Sequence, residues 1–362
     1  MTKRVTACAE GVPRSAPIVA GRRVFSGIQP TGKLHLGNYL GAISLWVALQ
    51  AEYETIFCIA DLHALTTPES VRAANLQAEV RETAAALLAC GIDPARAILF
   101  VQSRVGAHAE LAWLLSCVTP VGWLERMIQF KTRAAALESV GTGLLAYPVL
   151  QAADILLYRA DLVPVGEDQR QHIELTRDIA RRFHALFGEV FKLPDAMLRP
   201  GGARIMGLDD PNAKMSKSLG ATRKRHAIGL VDPPDVIRDA IAHAVTDSGR
   251  EVRPDHASPG VTNLLTIYEI LSGRSPEAVQ NEFVGKGYTV LKRAVADLVV
   301  ATLEPIQRRY IELSEQPETL DAMLVEGAAR AHLLAAPTLD RVKQLMGLDE
   351  QSPVLFPLSD ST

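Results

Sequence analysis

Residues 24–38 read Val24-Phe25-Ser26-Gly27-Ile28-Gln29-Pro30-Thr31-Gly32-Lys33-Leu34-His35-Leu36-Gly37-Asn38. Val24 to Ile28 is a β-type run, Gln29 to Lys33 is rich in chain breakers, and an apolar helical stretch runs from about Gly37 to Leu49. The pattern then repeats. Thr55 to Ala60 reads as a second strand, Glu69 to Cys90 as a long helix rich in alanine and leucine, and Ile98 to Gln102 as a third strand. Strands alternating with helices predict an α/β, Rossmann-like parallel sheet with helices on both faces. Ligands of such sheets sit beyond the carboxyl ends of the strands. Chemistry is therefore expected in the loops after Ile28, Ala60 and Val165.

From about residue 230 the period changes. Asp235 to Ala244, Asn263 to Leu271, Ser275 to Phe283 and Leu291 to Glu312 all read as helical, with Pro233-Pro234 as a linker. Pro305 is expected to kink or split the last of these. An α-helical C-terminal domain follows. The expected division is a flexible extension over 1–22, a Rossmann-like catalytic domain over 23–205, a loop and linker over 206–229, a helical region over 230–349 and a flexible tail over 350–362.

The chain has 362 residues, 48% hydrophobic and 22% charged, which suits a globular protein of two domains or of one large domain with an appendage. A formal net charge of −3 means that any nucleic-acid contact must rest on a local basic patch. Arg223-Lys224-Arg225-His226 is one candidate; Lys286, Lys292 and Arg293 form a weaker one that reads more readily as a solvated face. Cys8, Cys58, Cys90 and Cys117 form no C-x-x-C pair, which speaks against a metal or disulfide framework; Cys58 and Cys90 read as core hydrophobes. No apolar run is long enough for a membrane span. The first 22 residues carry Lys3, Arg4, Arg14 and Arg22 without an apolar stretch. That is too polar for a secretory signal; the alternative to a plain extension is a short organellar presequence. The expected compartment is the cytoplasm.

Two short motifs carry the chemistry. Glycines at a strand end let a flat ligand approach the backbone, and the free N–H groups of the helix near Gly37 face the same spot and suit a phosphate. His35 and Asn38 add donors for developing charge. Alone, His35-Leu36-Gly37-Asn38 reads more readily as a glycine-containing strand–helix connection with a solvent-facing His. Lys214-Met215-Ser216-Lys217-Ser218 is more specific: it follows the turn-rich loop Asp209-Asp210-Pro211-Asn212, and its two lysines can reach one polyphosphate together.

The two motifs together resemble the HIGH-type and KMSKS elements of class I aminoacyl-tRNA synthetases. The resemblance narrows to the bacterial tryptophanyl-tRNA synthetases through Phe25 to Pro30, Asp61-Leu62-His63, Tyr147-Pro148, Ala152 to Tyr158, Val163 to Gln169 and Gly202 to Met206, and it covers roughly residues 23–347. It implies a tryptophan–tRNA ligase using ATP and Mg2+, with tRNA(Trp) and L-tryptophan as partners, a homodimer, and anticodon binding by residues 230–349. It places Gln29, Pro30, Thr31, Gly37, Asn38, Gly166, Glu167, Asp168, Ile205 and Lys214 to Ser218 at ATP, with His35, Asn38, Lys214 and Lys217 acting on the phosphates. It places Phe25, Gln29, His63, Tyr147, Gln151, Asp154, Val163, Val165 and Gln169 at tryptophan.

Several of these residues have a reading of their own. Tyr147, Gln151, Asp154 and Tyr158 are spaced to share one helical face. A carboxylate among Ala153 and Ile155-Leu156-Leu157 needs a partner if buried: a salt bridge to Arg159 or Arg177 would serve, whereas the resemblance implies that Asp154 accepts the indole N–H. A site built on such a bond can reject analogues lacking the donor by roughly 10⁴–10⁵. Asp168 with Gln171 fits a capping box at the start of the helix from Gln169 to Phe183. His63 stands at a strand end, and His172 reads as a plain helical residue. Three departures from the family pattern stand out: Gln151 where methionine is common, Thr132-Arg133-Ala134 where lysine then serine is usual, with Arg133 a substitute phosphate contact, and Leu219-Gly220 where Asp-Pro is common. The rival readings are a tyrosine-specific relative and a non-charging paralogue serving as a binding module.

Overall fold

The computed structural model describes residues 21–66, 73–135, 137–198, 204–253 and 256–348. Most of the expected N-terminal extension, the tail, Cys8 and Gly202-Ala203 lie outside the described residues.

The strands β1 (Arg23–Ile28), β2 (Glu54–Ile59), β3 (Ala97–Val101), β4 (Leu162–Val165) and β5 (Asp195–Leu198) form one parallel sheet in the order β3-β2-β1-β4-β5. β2 and β3 are almost wholly buried along their length, as strands covered on both faces must be. β5 was not expected from the sequence; its four residues are exposed or half-buried and carry no apolar run to reveal it. The order reverses between β1 and β4, so the ligand crevice of this topology opens at their carboxyl ends.

Around the sheet lie α1 (Leu36–Asn38), a π-helical turn (Tyr39–Ile43), α2 (Ser44–Leu49), α3 (Asp61–Ala64), α4 (Ala73–Ala89), α5 (Ala107–Ser116), α6 (Val121–Glu125), α7 (Ile128–Ala134), α8 (Thr142–Leu157) and α9 (Arg170–Phe187). After β5 come α10 (Lys217–Thr222), α11 (Pro234–Ala242), α12 (Pro259–Ser272), α13 (Pro276–Phe283), α14 (Tyr288–Ser314) and α15 (Pro317–Leu345). Ser258 and Ser275 cap α12 and α13, each with proline next, which fixes where those helices start.

One face of the sheet packs Phe57, Ile59, Leu99 and Val101 against Leu40, Trp46 and Leu87, and this core continues into Ile237, Leu264, Leu291 and Val299 of the C-terminal helices. The other face packs Ile56, Cys58, Ile98 and Phe100 against Leu111, Leu115, Ile155 and Phe183. Cys58 and Cys90 are buried, as expected. The split expected as one outcome at Pro305 does not occur, since α14 runs through it. The ring removes one backbone bond, but Leu303 and Ile306 beside it are both buried, and that packing holds the helix together.

α15 falls within the region expected to be helical, but it was not read as an element of its own and its packing on the sheet was not foreseen. Its Leu320 and Leu324 join the first core, while Ala328, Ala331, Ala335 and Leu339 join the second, so the helix crosses the sheet at the edge strand β3. A Cβ at Gly327 would lie 1.9 Å from the Leu99 carbonyl oxygen. Arg330 donates to the carbonyls of Pro94 (2.7 Å) and Ala97 (3.4 Å). An open strand edge is thereby covered. Among the described residues no helix is long and apolar enough to cross a membrane.

Candidate active site

A cavity of about 660 Å³ opens where β1 and β4 end. Phe25, Gln29, His63, Tyr147, Gln151, Asp154, Val163, Val165 and Gln169 all line it, as do His35, Gly37, Asn38, Gly166, Glu167, Asp168, Ile205, Lys214 and Met215. Pro30 is buried and Thr31 half-buried, and neither forms part of the wall; nor do Ser216 and Lys217, and the Ser218 side chain lies outside what is described.

The first motif is held by backbone pairing to residues 228–230, and the second reaches the loop before it through the Lys217 side chain. The Leu36 N–H donates to the Ile228 carbonyl (2.8 Å) and the Leu230 N–H to the Leu34 carbonyl (3.0 Å), locking the turn before α1 onto residues 228–230. Asn38 Oδ1 accepts the His35 N–H at 3.1 Å, which leaves its NH2 end for a ligand. Where the sequence suggested a loop, residues 205–215 form a hairpin: the Gly207 N–H donates to Ala213 O and the Met215 N–H to Ile205 O, around a turn at Asp210. Buried His226 fastens it, with Nδ1 2.5 Å from Asp209 Oδ1 and Nε2 3.2 Å from the Lys214 carbonyl. α10 then starts at Lys217, where Ser216 Oγ accepts the Leu219 N–H. The Gly220 N–H donates to Ser216 O (2.9 Å), a bond that proline at this position could not make.

Lys217 Nζ donates to the Gln29 carbonyl at 3.1 Å. Burial lowers its pKa to about 8, while Glu79 opposes the shift. His35 is 5% exposed, and burial followed by the charges of Lys217 and Lys214 lowers its pKa to about 4. It is neutral at pH 7, so it offers a hydrogen bond and not a charge.

Asp154 is 4% exposed and pairs with neither Arg159 nor Arg177. Arg159 is exposed, and Arg177 bonds Asp195 and the Pro194 carbonyl instead. The carboxylate is held by Gln102 Nε2 (2.7 Å) and His108 Nδ1 (2.6 Å) on Oδ1, and by His63 Nε2 (2.8 Å) on Oδ2. Burial alone would raise its pKa; the bonds from His108 and His63 outweigh that and keep it below the usual carboxylate range. Tyr158 shares the helical face only in part: it lies behind the wall, fully buried, with its hydroxyl 2.8 Å from His108 Nε2. Asp61 accepts the Ser103 N–H and hydroxyl, joining α3 to the loop after β3 and so bringing His63 and Gln102 together. Gln102 and His108 were missed in the sequence. The carboxyl end of the third strand was the signal available for Gln102; no spacing pointed to His108.

His172 is more than a plain helical residue. It is 1% exposed, and its Nε2 meets the Tyr147 hydroxyl at 2.7 Å. Burial, then Arg133, lowers its pKa to about 4. A neutral imidazole in this position lets Tyr147 donate to it and present oxygen lone pairs to the cavity. Arg133 lines the cavity with its guanidinium 5.7 Å from the Tyr147 ring centroid. The Asp168–Gln171 capping box does not form. A 3₁₀ turn over Glu167–Gln169 moves the α9 cap to Gln169, and Gln171 Oε1 instead accepts the Ile128 N–H. The basic string at 223–226 is largely neutralised: Arg223 pairs with Asp210, Arg225 with Asp239, and His226 is the buried fastener above. In the weaker cluster, Lys292 donates to the Ala242 carbonyl and Lys286 lies over the Phe283 ring.

A family model described as tRNA synthetases class I (W and Y) matches residues 21–304. The chain is 54% identical over 330 residues to a tryptophan–tRNA ligase of Gloeobacter violaceus, covering 91% of this chain and 97% of that one. It is 50% identical over 328 residues to that of Wolinella succinogenes, covering 90% and 99%. Among solved structures, the tryptophanyl-tRNA synthetase of Mycoplasma pneumoniae superposes with a TM-score of 0.83 at 36% identity over 91% of this chain and 99% of that one. The Campylobacter jejuni enzyme complexed with ADP and tryptophan gives 0.77 at 36% over 90% and 100%.

Proposed function

The chain belongs to the class I tRNA synthetases of the W and Y group and is a tryptophan–tRNA ligase using ATP; we propose the following division of labour among its residues. The tryptophan carboxylate attacks the α-phosphorus of ATP, giving tryptophanyl-adenylate and pyrophosphate. A terminal hydroxyl of tRNA(Trp) then takes the aminoacyl group and AMP leaves. Positioning and charge stabilisation do most of this work.

Lys214 and Lys217 neutralise the β- and γ-phosphates, Lys217 exchanging the Gln29 carbonyl for a phosphate oxygen. His35 and the Asn38 amide donate from the opposite side, and Gly166 to Asp168 hold the ribose. Asp154 accepts the indole N–H, His63, Gln151, Phe25, Val163 and Val165 enclose the ring, and Tyr147 and Gln169 face the amino-acid backbone. The observation that carries this reading is the buried Asp154 carboxylate on the wall of the same cavity as His35 and Lys214.

Among the described residues no cluster of three or more His, Cys, Asp or Glu side chains is arranged to hold a metal. Mg2+ is assigned to the ATP phosphates, where it usually keeps several waters, and the lysines carry the protein's share of the charge. A homodimer, a cytoplasmic location and anticodon contacts from the C-terminal helices belong to the same proposal. ATP–pyrophosphate exchange with tryptophan and with tyrosine, followed by charging of tRNA(Trp), tests it. Exchange dependent on tryptophan and charging at a normal rate are expected. A preference for tyrosine would favour the tyrosine-specific relative, and absence of charging would favour a binding module. Sedimentation at the mass of one chain would remove the homodimer.

A further inference from the structure

We infer that His108 and Tyr158, which lie behind the cavity wall, determine amino-acid selectivity by leaving Asp154 a single open acceptor position. The inference rests on the assignment of Asp154 to the indole N–H. An ionised carboxylate has about four acceptor positions. Two on Oδ1 are filled by Gln102 Nε2 (2.7 Å) and His108 Nδ1 (2.6 Å), and one on Oδ2 by His63 Nε2 (2.8 Å). The fourth, on Oδ2, remains on a residue that lines the cavity.

The orientation of His108 follows from its neighbours. Asp154 can only accept, so Nδ1 carries the proton toward it, and Nε2 is anchored on the other side by the Tyr158 hydroxyl, 2.8 Å away. Both rings are fully buried and tilted against each other, and Phe100 packs on both, so the relay cannot turn. The carboxylate is thereby held in one rotamer with one lone pair aimed at the substrate. A ligand N–H completes the set; a ligand without it leaves a buried acceptor unpaired, a cost borne in full inside a protein. If His108 cannot donate, Oδ1 has a free position, the carboxylate can rotate to satisfy itself, and the ligand donor matters less. His108 and Tyr158 are positioning residues, since neither touches the cavity.

The test measures kcat/KM in ATP–pyrophosphate exchange for tryptophan and for 3-(3-benzothienyl)alanine, in which sulfur replaces the indole N–H, using the full-length chain. His108→Leu should lower the tryptophan-to-sulfur ratio by about tenfold or more, the usual scale for losing one hydrogen bond to a charged group. His108→Asn, with an amide nitrogen near the position of Nδ1, should restore most of it. Tyr158→Phe, which keeps the ring shape, should lower it by a smaller factor. A merely structural role would reduce both substrates together and leave the ratio unchanged; that result in a folded His108→Leu overturns the inference. If His108→Leu does not fold, an unchanged ratio in Tyr158→Phe overturns it. Asp154→Asn separates the two levels: a wild-type ratio there overturns the assignment of Asp154 itself, and a collapsed ratio there with an unchanged one in His108→Leu overturns only the relay.

Discussion

Lys217 and Asp154 show two ways in which burial meets charge. Lys217 loses solvent and donates to a carbonyl, and the opposing charge of Glu79 offsets the burial only in part, so its pKa falls to about 8. It is a cation at pH 7 and loses that charge as pH rises through 8. The kcat/KM for ATP, which reports the free enzyme, should therefore fall above pH 8, and Lys217→Arg should move that fall upward because arginine stays charged. An identical profile for the two proteins would mean that Lys217 does not carry the phosphate charge. Lys217→Ala should slow exchange by roughly 10²–10³, the usual scale for one lost stabilising donor, while tryptophan binding measured by calorimetry stays largely intact. At this scale the motif lysines and His35 were legible because their spacing is specific. Gln102 and His108 were not, because nothing local marks a residue whose task is to hold another one.

Elements carry a different kind of information. Strand and helix periods located β1, β2 and β3 and most of the C-terminal helices to within a few residues; the start of α13 was read at Ser275, whereas α12 begins at Pro259, four residues before the expected Asn263. β5 and α15 escaped: the first has no apolar run, and the apolar residues of the second serve two cores in turn. The contact of Gly327 with Leu99 O leaves no room for a methyl group. Gly327→Ala should destabilise the protein by about 1–3 kcal/mol, the range for overpacking, read as a lower denaturant midpoint; an unchanged midpoint would show that α15 can shift away from β3. The 205–215 hairpin is held by His226. His226→Ala should raise KM for ATP several-fold and leave KM for tryptophan nearly unchanged in the exchange assay, since Lys214 stands on the hairpin and Asp154 does not. Equal rises in both would assign His226 to general stability instead.

Across the whole molecule, His35 and His172 are both buried and both held near pKa 4 against an ordinary 6.5. The unfolded chain takes up their protons first, so stability should fall as pH drops from about 6.5 to 4, by roughly 3 kcal/mol for each histidine at most. Asp154 is shifted downward as well, so its contribution has the same sign but should be lost only as pH falls below the ordinary carboxylate range. Thermal unfolding across this window should show the decline, and His172→Gln should remove about half of the histidine part of it; a curve unaltered by that change would mean that His172 titrates normally in the folded chain. The sequence by itself determined the parallel α/β class, the positions of the phosphate motifs and the presence of a carboxylate that needed a partner, because these follow from local periods and from residues adjacent in the chain. Only the tertiary structure decided what that partner is, that Lys217 rests on Gln29, and that α15 closes the edge at β3. Each of those joins segments tens to hundreds of residues apart, and burial, not local propensity, selects which of the possible contacts is made.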